Sequence, residues 1–108
     1  MSELKELIVK AKQKNLKAME ELFNQFKPLL ESRAKRYSRM GLEYDDVFQQ
    51  GALLFIIGVY EHQPEKERSP TAFSSYIKKR LDWGLWVYYR GYLKRQIEIS
   101  GGLNPKES

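Results

Sequence analysis

FSSYIKKRLDWGLWVYYRGYLK (residues 73–94) holds seven aromatic rings, Phe73, Tyr76, Trp83, Trp86, Tyr88, Tyr89 and Tyr92, among Lys78, Lys79, Arg80, Arg90 and Lys94. At 3.6 residues per turn, Phe73, Ile77, Leu81, Leu85, Tyr88 and Tyr92 share one side and read as core. Tyr76, Arg80, Trp83, Val87 and Arg90 share another. A helix needs one apolar stripe to bury, and this stretch has more rings than one stripe can hold. The second stripe joins flat rings to cations. Rings stack on unpaired bases while cations hold phosphates, so this face is the candidate for nucleic-acid binding. The competing account packs Trp83 and Trp86 against the first helix or a partner, because aromatic residues fill cores and interfaces alike.

The segments before it are also helical. Ser69 followed by Pro70 reads as a hydroxyl cap and a first helical residue, and the helix is expected to run to about Ile97. Residues 62–69, HQPEKERS, read as a polar loop. VFQQGALLFIIGVY (residues 47–60), capped by Asp45 or Asp46, is apolar on nearly all sides, which marks a central helix. Leu4, Leu7, Ile8 and Ala11 place a short amphipathic helix over residues 2–14. Asn15 caps a longer one carrying Leu16, Met19, Leu22, Phe23, Phe26, Leu29 and Leu30. Pro28 is expected to kink or interrupt that helix over residues 24–27, and Gly41 to end it. No strand-period segment or repeat is present. The expectation is an all-α compact bundle of four to five helices over residues 1–97, with a flexible tail over residues 98–108.

Composition narrows the chemistry. A chain of 108 residues, 42% hydrophobic, fits one small domain. With no Cys and only His62, thiol catalysis, a disulfide scaffold and the usual metal sites are unexpected. Glu20/Glu21 and Asp45/Asp46 are sequence neighbours that point to different helix faces, so neither pair suggests catalysis. There is no Gly-rich phosphate loop, and no cofactor or enzyme activity is expected. No apolar run is long enough to span a bilayer, and the N-terminus is a mixed-charge helix; cytoplasmic location is the default. The net charge of +5 is sorted: Glu43, Asp45, Asp46, Glu61, Glu65 and Glu67 make the middle acidic, and the flanks are basic. Arg33, Lys35, Arg36 and Arg39 read as a solvated helix end, with contact to duplex backbone as the alternative.

Four pieces, in order, resemble region 2 of the sigma-70 family of bacterial RNA polymerase sigma factors, over residues 10–95. AKQKNLKAMEELFNQFKPLLESRAKRY (residues 11–37) looks like the first region-2 helices. In DVFQQGALLFIIGVY, Asp46, Gln49, Gly51, Phe55 and Val59 sit in register with the family's next helix. His62-Gln63-Pro64-Glu65-Lys66 is similar to its Phe-Asp-Pro-Glu-Lys, and Phe73-Ser74-Ser75-Tyr76 to its F-S-T-Y. Gln50 departs from the family's Glu, and Lys79 and Arg80 stand at the tandem-Trp positions of housekeeping members.

The resemblance implies a transcription-initiation protein. Asp46, Gln49, Gln50 and Leu53 would dock on the coiled coil of the largest subunit of core RNA polymerase; without it, Asp46 reads as a cap and the glutamines as solvated. Tyr76, Lys79, Arg80, Trp83 and Arg90 would hold the single-stranded −10 region of promoter DNA, with Lys66 and Arg68 lining the pocket of a flipped base. No region 4 follows in this sequence, so a partner chain bearing region 4 is expected, unless the chain is an excised domain. The resemblance also allows an anti-sigma factor as a partner. The alternatives are a small helical regulator of duplex DNA that acts without polymerase, and a homodimeric interaction module.

Overall fold

The computed structural model describes residues 3–63 and 72–100. Among them are four helices and no strand, as the all-α expectation requires: α1 (Glu3–Lys12), α2 (Leu16–Ser38), α3 (Tyr44–Glu61) and α4 (Ala72–Ser100). α3 touches each of the other three, so the helix that is apolar nearly all round is the central one. The expected start at Ser69 and Pro70 and residues 101–108 lie outside the described residues. Residues 98–100, expected in the tail, continue α4.

Local chemistry sets most of the boundaries. α1 closes with Lys14 in the left-handed region (φ 66°), and the Asn15 N–H reaches back to the Lys10 carbonyl at 3.2 Å. Asn15 Oδ1 then accepts the Ala18 N–H at 3.0 Å and caps α2. α2 passes through Pro28 as one helix, without the interruption that was one of the two expected outcomes. Pro28 lies on the exposed side, while Leu22, Leu30 and Ala34 on either side of it are buried. Packing on both sides holds the turn together despite the lost donor. Gly41 (φ 107°) ends the segment, and the Leu42 N–H returns to the Tyr37 carbonyl at 3.2 Å.

The start of α3 corrects a second expectation. Neither Asp45 nor Asp46 is the cap; Glu43 occupies that position and makes no side-chain capping bond. Leu42 and Val47, on either side of the cap, are both buried in one cluster, a hydrophobic staple that sets the entry of the chain. Asp45 and Asp46 fall in the first turn, where the helix dipole favours their charge. At the other end, Lys12 Nζ donates to the carbonyl oxygens of Tyr60 (2.7 Å) and His62, so α1 covers the last turn of α3.

All five phenylalanines meet in one core. Phe55 of α3 is fully buried, with ring centroids 5.7 Å from Phe23 and 5.4 Å from Phe26; Phe26 lies 5.3 Å from Phe73. Ile8, Leu22, Leu30, Ile77 and Leu81 complete it. A second cluster of Ala34, Tyr37, Leu42, Val47 and Leu85 is sealed by Tyr44, Tyr88, Tyr89 and Tyr92.

Small residues let α3 and α4 approach closely. A Cβ on Gly58 would meet Ile77 Cδ1 at 2.9 Å and Arg80 Cδ at 3.1 Å; one on Gly84 would meet Leu54 Cδ1 at 2.6 Å. Gly58→Ala is therefore expected to lower stability in urea denaturation by about 1–3 kcal/mol, the usual range for overpacking. Gly91→Ala, with only Arg95 Nη1 at 3.8 Å, is the control and should stabilise by about 0.5–1 kcal/mol through helix propensity. A gain of stability in both would show that the helix contact has room to spare.

Candidate nucleic-acid interface

Burial of Phe73, Ile77, Leu81 and Leu85 fixes which side of α4 faces the core. Two ion pairs then hold the helix on opposite flanks. Asp82 Oδ1 accepts from Nε of Arg33 on α2 at 2.6 Å, and Nη1 of Arg80 lies 2.7 Å from Glu61 Oε1 on α3. Arg80 and Asp82 bracket the buried Leu81, and Trp83, about 200° round the helix from Leu81, faces out and is 67% exposed. Trp86 is 43% exposed and leans on Tyr89, with centroids 6.0 Å apart; Tyr89 in turn packs on Tyr37 at 5.5 Å. Lys79, Val87, Arg90 and Lys94 are exposed along the same side. The outer face of α4 is thus a ridge of two indoles set among cations.

Beneath Trp83 lies an open groove of about 370 Å³, lined by Leu54, Tyr76, Lys79, Arg80, Trp83 and Gly84. Gly84 and the Leu54 side chain packed against it are part of its apolar lining. Arg80 Nη1 also lies 3.3 Å from the Tyr76 hydroxyl. Arg80 Nε is shielded from solvent and has no hydrogen-bond partner among the described residues. The groove offers an apolar floor, one indole wall and two cations, which suits a planar group carrying or adjoining negative charge.

The expected DNA residues divide into three groups. Lys79, Trp83 and Arg90 are exposed on the ridge. Tyr76 and Arg80 are not free on an outer stripe: Tyr76 packs against the phenylalanine core, and Arg80 is half-buried in its pair with Glu61. The end of α3 lies over that part of α4, and Gly58 admits the Arg80 stem. Lys66 and Arg68 lie outside the described residues. Val87, expected on the same stripe, belongs to the ridge; Trp86 also belongs to it but was not among the expected contacts, and its three-residue step from Trp83 is the signal that finds it.

On α3, the expected docking residues share one face. Asp46 and Gln49 are exposed, Gln50 is half-buried and Leu53 is 52% exposed. Ile56 and Tyr60, three and seven residues beyond Leu53, extend the face with further exposed apolar surface. The basic run at the end of α2 is not uniformly solvated, contrary to expectation. Arg33 is buried by its pair with Asp82, while Lys35, Arg36 and Arg39 remain exposed. Next to Arg33, burial pushes the Tyr37 phenol above its usual pKa of 10.0, with Arg36 acting in the opposite direction.

Among the described residues, no group of three or more His, Asp or Glu is placed to hold a metal ion. No described helix is long and apolar enough to cross a membrane. No protein-family model, curated protein or solved structure matches the chain.

The flank pair should matter to stability. Asp82→Ala leaves a buried guanidinium without its carboxylate, and chemical denaturation is expected to record a loss of about 1–3 kcal/mol, discounted from a fully buried pair because Asp82 is part-exposed. An unchanged denaturation midpoint would remove this pair from the account of how α4 is held.

Proposed function

We propose that this chain is a sigma region-2-like transcription-initiation protein, which docks on core RNA polymerase through α3 and holds an opened promoter strand on α4. One observation carries the reading: Lys79, Trp83, Trp86 and Arg90 stand outward on α4, on a helix tied at both flanks. Indoles held this way offer stacking surfaces for unpaired bases at about 1–3 kcal/mol per base, and the cations add a salt-dependent attraction for phosphates. Taking a base out of its stack costs a few kcal/mol, so two rings and a groove are enough to balance one flipped base. The motif resemblance across residues 10–95 supports the same function.

The α3 face complements that role on a different helix. Asp46, Gln49 and Gln50 present a carboxylate and two amides to a basic partner helix, and Leu53, Ile56 and Tyr60 give it apolar surface to cover. Acidic and basic functions are thereby separated on neighbouring helices.

Fluorescence anisotropy with labelled −10-like oligonucleotides tests the DNA half. Single strands are expected to bind more tightly than duplex, and Trp83→Ala to weaken single-strand binding by about 1–3 kcal/mol. Arg90→Ala should lower the salt slope by about one phosphate contact. Equal affinity of wild type and Trp83→Ala for single strands would sink the stacking role. Preference for duplex would favour a duplex regulator instead. For the protein half, co-elution with core polymerase should disappear in the Asp46→Arg/Gln49→Ala double variant, whose changes lie on exposed positions; retention of binding would rule this face out.

A further inference from the structure

Lys79, Trp83, Trp86, Arg90, Leu93 and Ile97 recur along α4 in alternating steps of four and three residues. Such a row averages 3.5 residues per turn, the spacing at which one helix faces another. It runs for about 27 Å at 1.5 Å per residue. All but Ile97 are exposed, and Ile97 is half-buried. Tyr92 is the last α4 residue in either core cluster, its hydroxyl donating to the Gly41 carbonyl at 3.1 Å. The row therefore continues from the body of the bundle onto two turns of α4 that no core cluster includes. Among the described residues, no other helix covers it.

Charge selects the occupant. Residues 83–97 include Arg90, Lys94 and Arg95 and no carboxylate. A second copy laid along the row would set cations near cations, which destabilises helix pairs. A lipid surface favours cations at the margins of an apolar stripe, whereas Lys79 and Arg90 stand within it. A helix with apolar residues at matching steps and carboxylates beside them covers the indoles and pairs the cations together.

We propose that this row is the docking face for an acidic amphipathic helix of a partner protein, and that this helix and a nucleic-acid strand exclude one another. The carboxylates of the helix take the places of phosphates, and its apolar side chains take the places of bases. The exclusion rests on the function proposed above; the docking does not.

The two tryptophans, both on the row, report directly on its occupancy. The probe is a synthetic Trp-free peptide of about 18 residues, with Leu at the same steps and Glu elsewhere. Its addition to the full chain should blue-shift the emission. A peptide of the same composition with scrambled Leu positions, and one with Lys in place of Glu, should each bind at least tenfold more weakly. Arg90→Glu should weaken the Glu peptide by about tenfold and strengthen the Lys peptide. The Glu peptide should also displace a labelled oligonucleotide.

No blue shift, equal binding of the scrambled peptide, or indifference to Arg90→Glu would each overturn the docking. So would a concentration-dependent dimer that buries the indoles, or a blue shift with anionic phosphatidylserine vesicles and none with the peptide. Simultaneous binding of peptide and oligonucleotide would overturn the exclusion. Peptide binding as described, in a chain that binds no oligonucleotide, would support the docking and overturn the DNA reading.

Discussion

The close contact of α3 with α4 is the constraint on which the rest of the molecule depends. Gly58 and Gly84 bring the two backbones together, with Ile77, Arg80 and Leu54 filling the space their missing side chains leave. With α3 packed against each of the other helices, its buried residues fill the two core clusters, and α4 buries only one side against it. The ion pairs to Arg33 and Glu61 then act as stays on either flank. Neither pair need add much net stability, because desolvation offsets much of their attraction. Their effect is on orientation.

That orientation has a cost. An indole buries some 150–250 Å² when it packs, so leaving Trp83 largely in water forgoes roughly 2 kcal/mol or more of apolar burial. A small domain has little stability to spare. The exposed indoles of α4 and the exposed Leu53, Ile56 and Tyr60 of α3 are thus two surfaces whose composition serves contact with another molecule better than folding. The two differ in sign. α3 begins with carboxylates, and α4 carries its cations among rings. A molecule arranged this way can meet a polyanion and a basic protein by different helices at once.

Most of the fold was legible because local signals agreed with each other. Asn15 and Gly41 marked ends through bonding and backbone geometry that depend only on neighbouring residues. The core side of α4 followed from helical spacing alone, since Phe73, Ile77, Leu81 and Leu85 repeat every four residues. The misread points depended on contacts distant in sequence. Pro28 looked like a break because its neighbours' anchoring in the core is invisible locally. Asp45 and Asp46 looked like caps because the staple between Leu42 and Val47 acts through burial. Arg33 looked like part of a solvated run because its carboxylate lies 49 residues away.

The sequence by itself determined that the chain is helical, that one helix is apolar all round, and that the last helix carries more rings and cations than a core can take. Periodicity and short-range capping suffice for those conclusions. Only the tertiary structure decided which members of the outer stripe remain available. Tyr76 and Arg80 turn toward α3, while Trp83, Val87 and Arg90 stay in solvent. The physical reason is that helical spacing assigns a direction to each side chain but does not say what stands in that direction. The end of α3 covers one part of the stripe and leaves the rest uncovered.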